Sequence, residues 1–157
     1  MTDTSLIAMT PPDRRLDRRL LEQPGGYAWW YVDMIDDSGD GLVLIWSWGL
    51  PFLPGYADAA RSGTPQLPRE RPSLNLSTYR GGELDFYLLQ EYATSSAEWL
   101  SPETWRMGDS RFESSLTDGR RRLRADIDAP VPGSEGRIIG TIELDGPARR
   151  PEGREAL

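Results

Sequence analysis

Two carboxylates lie where strand-like segments meet aromatic residues, and they are the leading candidates for chemistry. Asp33 closes the block Gly25-Gly26-Tyr27-Ala28-Trp29-Trp30-Tyr31-Val32-Asp33, and Glu91 ends the apolar stretch that begins at Glu83. The chain has no histidine, cysteine or lysine, and its 18 basic residues are all arginine. These absences exclude Ser-His-Asp and Cys-His nucleophiles, imidazole and thiolate metal sites, disulfides and Schiff-base lysines. Proton chemistry is left to carboxylates, tyrosines and bound water, with no metal or cofactor implied. Period-two alternation predicts Tyr27, Trp29, Tyr31 and Asp33 on one strand face, with Ala28, Trp30, Val32 and Met34 on the other. Asp33 is then either an inward acid at the edge of an aromatic surface or a strand-end cap accepting turn hydrogen bonds. Glu91 has the same two readings, inward acid or rim residue.

Positioning these groups requires a sheet. The run Gly41-Leu42-Val43-Leu44-Ile45-Trp46-Ser47-Trp48-Gly49 follows the turn residues Asp36-Asp37-Ser38-Gly39-Asp40, which predicts a hairpin with the first block. Four of the six tryptophans lie in these two segments. Trp29, Trp46 and Trp48 are candidate walls of an apolar chamber or, equally, core residues; Trp30 is assigned to packing, because adjacent strand residues face opposite ways. Further strands are expected at 73–79, 83–91, 104–107, 111–116, 120–128 and 137–144, separated by Arg80-Gly81-Gly82, Gly108-Asp109 and Asp118-Gly119 turns. Asn75 and Tyr79 share a face with Ser73 and Ser77, as an inward polar stripe or a solvated outer one. Tyr56 follows Pro54-Gly55 in a loop with helical character and either lids a barrel mouth or anchors the loop.

The pattern predicts an all-β fold, an antiparallel barrel or sandwich of about eight strands. A single domain is expected over residues 25–145, behind an N-terminal arm at 1–24. Within the arm, Asp13 is the expected cap of a short helix near Leu16 and Leu20. Residues 146–157 have the composition of a disordered tail or linker.

The net charge of -7 argues against nucleic acid as a partner. The cluster Arg120-Arg121-Arg122 with Arg124 reads as a solvated strand end, with at most peripheral contact to anionic lipid. Met1 to Pro12 lacks the features of a signal peptide, and Leu42 to Leu53 is too short and interrupted to span a bilayer. The expected location is cytoplasmic.

Four pieces in register carry a family resemblance: Tyr27-Ala-Trp-Trp-Tyr-Val-Asp33, Asp36-Asp37-Ser-Gly-Asp40-Gly41-Leu42, Gly49-Leu-Pro-Phe-Leu-Pro-Gly-Tyr56-Ala57, and Ser73-Leu-Asn75-Leu-Ser-Thr-Tyr79. In these the chain resembles the carotenoid 1,2-hydratases, also called hydroxyneurosporene synthases. The resemblance implies a lipocalin-like β-barrel, the N-terminal half of a protein about twice this length, and a glutamate at the position of Glu91. It also implies hydration of a terminal double bond of an acyclic carotenoid, with an apolar polyene as ligand and a second chain or domain supplying the other half. The alternative is a non-catalytic lipocalin-like carrier of a hydrophobic ligand.

Hydrating an unactivated alkene needs a strong proton donor, shelter for a tertiary carbocation and one placed water. A carboxylic acid desolvated among aromatics keeps its proton near neutrality, and the carboxylate it leaves can activate the water. Aromatic faces stabilise the cation by ~2 kcal/mol or more per well-placed ring. On this reading Asp33 and Glu91 are the catalytic candidates, and Trp29, Tyr31, Trp46, Trp48, Tyr56, Asn75 and Tyr79 contact the ligand.

Overall fold

The computed structural model describes residues 17–147. The described residues form nine strands, each antiparallel to its neighbours within its sheet: β1 (Ala28–Ile35), β2 (Gly41–Trp48), β3 (Pro72–Arg80), β4 (Glu83–Glu91), β5 (Ala97–Ser101), β6 (Thr104–Met107), β7 (Ser110–Thr117), β8 (Arg120–Pro130) and β9 (Arg137–Pro147). The only α-helix among the described residues, α1 (Tyr56–Arg61), lies in the β2–β3 connection. No described helix is long and apolar enough to cross a membrane.

Strand pairing corrects the expected single closed barrel. β1–β4 form one sheet and β5–β9 another, with no ladder joining β4 to β5 or β9 to β1 among the described residues. The break falls at a single 3-10 turn, Thr94–Ser96, where Ser96 N–H donates to the Ala93 carbonyl and bends the chain away from β4. β5 is the strand that the sequence pattern missed. The expected Asp13 cap lies outside the described residues, as does the tail beyond Pro147. Within the arm, a short 3-10 turn at Arg18–Glu22 is capped by Asp17, whose carboxylate accepts from Arg19 N–H.

The sheets pack face to face through aromatic side chains, which makes the fold a sandwich. From the first sheet come Trp30, Leu44, Trp46, Trp48, Leu74, Leu76 and Leu88; from the second come Trp99, Trp105, Met107, Phe112, Ala125, Ile127 and Ile142. Trp30 is the hub of this layer. Its ring centroid lies 4.5 Å from Trp105, 5.3 Å from Trp99, 5.6 Å from Trp48 and 6.1 Å from Trp46. Each such pair adds about 0.5–1.5 kcal/mol beyond the burial of apolar area.

A second, smaller core lies on the opposite face of the first sheet. Leu50, Leu53 and Tyr56, from the β2–β3 connection, pack onto Ile45 and the partly buried Val43 and Leu89. The connection leaves β2 through Gly49, whose φ of +71° and close neighbours require glycine: a Cβ there would lie 2.4 Å from the Tyr56 hydroxyl.

Candidate functional site: the outer face of the first sheet

The hairpin turn decides which side chains share a face. Ile35 pairs with Gly41 across it, so odd residues of β1 face odd residues of β2, and Trp30 lies opposite Trp46. The turn is held by Asp36, whose carboxylate accepts from Ser38 N–H and Asp40 N–H at 2.9 and 3.0 Å. Continuing the pairing through β3 and β4 gives three cross-strand rows on the outer face: Trp29, Ser47, Ser73 and Glu91; Tyr31, Ile45, Asn75 and Leu89; Asp33, Val43, Ser77 and Tyr87.

This register separates the candidate ligand residues. Trp29, Tyr31, Asp33, Asn75 and Tyr79 share the outer face, whereas Trp46 and Trp48 point into the intersheet core and are fully enclosed there. The two core tryptophans cannot line a chamber with Asp33. Tyr56 is buried too, and its hydroxyl donates to the Gly26 carbonyl at 2.6 Å. It anchors the loop rather than offering a polar contact to a ligand, and burial pushes its phenol up to about 12.

The two carboxylates share the outer face and do not meet. Three strand spacings and four residues of offset place them about 20 Å apart. Glu91 is taken by Arg71, which contacts both of its oxygens, the second at 3.1 Å. The same guanidinium donates to Gln66 Oε1 at 2.5 Å and to the Pro54 carbonyl at 3.0 Å, and lies 5.8 Å from the centre of the Tyr56 ring. Arg71 is thus a latch that fastens the β2–β3 connection to the start of β3 and the end of β4. Nothing in the sequence singled it out.

Asp33 has a different setting. It is exposed on edge strand β1, two residues beyond Tyr31 on the same face. Desolvation raises the Tyr31 phenol above its ordinary value, and the Asp33 charge and nearby Tyr79 act in the same direction.

Around this pair lies an open aromatic platform. Trp29 is 41% exposed, Tyr31 54%, Tyr87 55% and Phe52 56%. Tyr27, Trp29 and Phe52 form a ridge, with successive ring centroids 5.6 and 6.1 Å apart. The centre of the face between the edge strands is covered: Leu50, Leu53 and Tyr56 pack on Ile45, and Ser47, Ser73, Asn75 and Ser77 are buried; Ser47 and Ser73 share a hydrogen bond of 2.7 Å, and Asn75 Nδ2 donates to the Leu88 carbonyl at 2.8 Å. Tyr87 and Phe52 are additions from the structure. Tyr87 was legible, since it alternates in phase with Glu91; Phe52 depends on how the loop folds back.

The rim of this face thus presents exposed aromatic rings and one exposed carboxylate. Comparison with known proteins finds partial matches. Over 66 residues the chain is 46% identical to the acyclic carotenoid 1,2-hydratase of Thiocapsa roseopersicina, a match covering 41% of this chain and 16% of that protein. Over 108 residues it is 44% identical to the enzyme of that name from Rubrivivax gelatinosus, covering 66% of this chain and 23% of that one. Over these segments the chain is similar to the acyclic carotenoid 1,2-hydratases. A hydroxyneurosporene dehydrogenase from Chlorobaculum tepidum is 31% identical over 78 residues, 45% of this chain and 20% of that protein. No family model and no solved structure matches. The matched segments span about a fifth of these relatives, which are therefore longer than twice this chain.

Proposed function

We propose that this chain serves the hydration of an acyclic, carotenoid-type polyene and that the outer face of its first sheet is the wall along which the polyene lies. The observation that carries this reading is the Tyr31–Asp33 pair set in an exposed aromatic platform, in a chain related to hydratases of such substrates. A hydrocarbon laid over a carboxyl group strips water from it, the condition under which a carboxylic acid holds its proton. Asp33 then gives its proton to the less substituted carbon of a terminal trisubstituted double bond. The tertiary cation left on the other carbon faces the ring of Tyr31, with Trp29 and Tyr87 left to contact more distant parts of the polyene. Water adds to that carbon, and the proton it loses returns to the Asp33 carboxylate, so the acid is regenerated.

The face is covered at its centre by the β2–β3 connection and open along its rim. A second domain or chain, of the kind the longer relatives have room for, would cover it and complete a lipocalin-like chamber on the unpaired edges of the first sheet. A polyene is supplied from a membrane, so peripheral contact on the cytoplasmic side accompanies this reading.

Binding tests the location. The protein is incubated with an acyclic carotenoid in detergent micelles, repurified and scored for bound pigment. Trp29→Ala and Tyr87→Ala should each weaken retention by about tenfold, the loss of one ring-sized apolar contact of 1–2 kcal/mol. Retention unchanged in both variants would move the ligand off this face.

A further inference from the structure

β9 is the edge strand of the second sheet, and no described strand pairs with its outer side. Its ladder with β8 runs through eleven consecutive pairs, from Arg137 opposite Pro130 to Pro147 opposite Arg120, without a bulge. The other edges are poorer templates: β5 has five residues, the β3–β4 ladder is irregular at Thr78/Tyr79, and β1 bears one charge with no opposite charge to meet. Natural proteins blunt long edges with bulges, prolines or inward charges, and β9 shows none of these before Pro147. We propose that β9 is a self-recognition edge, on which two copies pair antiparallel about a dyad at Gly140 to form one ten-stranded sheet.

The sequence of β9 is self-complementary in that register. Arg137 of one copy falls opposite Glu143 of the other, and the contact occurs twice. On the core side Ile138 meets Ile142, both of which already pack on the intersheet core, so the apolar layer continues across the dyad. On the outer side Ile139, 73% exposed, meets Thr141, a β-branched pair that suits a sheet surface. Gly140 faces its own copy, with open space where a Cβ would stand. Arg137 is held by Asp128 on β8 and by Asp109 before β7, at 2.6 and 2.7 Å, and Glu143 by Arg124 on β8, so each shares its charge between its own sheet and the partner's. Backbone hydrogen bonds supply the affinity and the charge pairs set the register. An edge contact of this kind is small, so association at roughly 10–100 µM is expected.

Light scattering on the intact protein across that concentration range should show a monomer–dimer equilibrium. Arg137→Glu and Glu143→Arg should each remain folded by circular dichroism and be monomeric, because like charges then face each other. Mixing the two variants should restore a heterodimer. The chain has no cysteine, so Gly140→Cys introduces a single thiol; mild oxidation should give a covalent dimer, while Ser115→Cys on β7 should not. A monomer at all concentrations, or a mixture of the two variants that stays monomeric, would overturn the proposal.

Discussion

Tyr31 stands two residues before Asp33 on the same face of β1, and the carboxylate's charge adds to desolvation in raising its phenol. One strand therefore supplies both the acid and a phenol beside it, and the two stay together whatever the rest of the sheet does. Tyr31→Phe removes the hydroxyl and keeps the ring. Since the residue is 54% exposed, stability should change by less than about 0.5 kcal/mol. Turnover of an acyclic carotenoid should fall about tenfold if the hydroxyl assists the acid, the worth of one polar contact of roughly 1–1.5 kcal/mol. Thermal unfolding and product formation measure the two effects separately.

Trp29 and Trp30 are adjacent and face opposite ways, so the same substitution should give opposite results at the two positions. Trp30→Ala removes the hub of the intersheet layer and should cost about 3–5 kcal/mol in denaturant unfolding. Trp29→Ala should cost under about 1 kcal/mol and act on ligand retention instead. Equal destabilisation by both would mean that the face assignment is wrong.

Glu91 shares a face with Asp33, yet its two-pronged contact with Arg71 makes it part of a latch. Glu91→Gln should leave carotenoid turnover within about twofold of the parent, since it removes no group from the platform. Arg71→Met frees the Gln66, Pro54 and Glu91 contacts together and should lower stability by about 1–2 kcal/mol, the pair being partly open to water. Limited proteolysis between Gly49 and Arg71 should accelerate in that variant.

Stability should decline at both ends of the pH scale for identifiable reasons. Hydrogen bonds from Arg124 and Thr141 hold Asp126 below the usual carboxylate range, and those from Arg120 and Arg122 hold Asp145 there. Groups depressed in the folded state stabilise it above the unfolded value of about 4, and that contribution is lost as pH falls through the folded values. Burial pushes Tyr56 and Tyr92 up to about 12. A raised phenol contributes stability that is complete below about pH 10 and is lost as pH rises from there towards 12. Melting temperatures across pH should show both slopes, the acid one shallower in Asp145→Asn.

Strand alternation in β1 made the split between Trp29 and Trp30 legible, and the glycine turns marked most strand ends. The placement of Trp46 and Trp48 was not, because parity between strands depends on the residue that closes the turn. Ile35 pairing with Gly41 puts both tryptophans beside Trp30. The change from one barrel to two sheets rests on the Thr94–Ser96 turn and the five-residue β5, which are too short to leave a periodic signal. Asp33 beside Tyr31 could be read from the sequence; Arg71 taking Glu91 could not, since residues 71 and 91 meet only through the β3–β4 ladder.

Oxygen-18 incorporation tests most directly whether Asp33 on this face hydrates a polyene. The protein and an acyclic carotenoid are incubated in ¹⁸O-labelled water, and the extracted pigment is examined by mass spectrometry. The parent chain should yield a hydroxylated product carrying the label, and Asp33→Asn should yield none while retaining the pigment. Labelled product from Asp33→Asn at the parent rate, or pigment held by the parent with no label incorporated, would contradict the assignment.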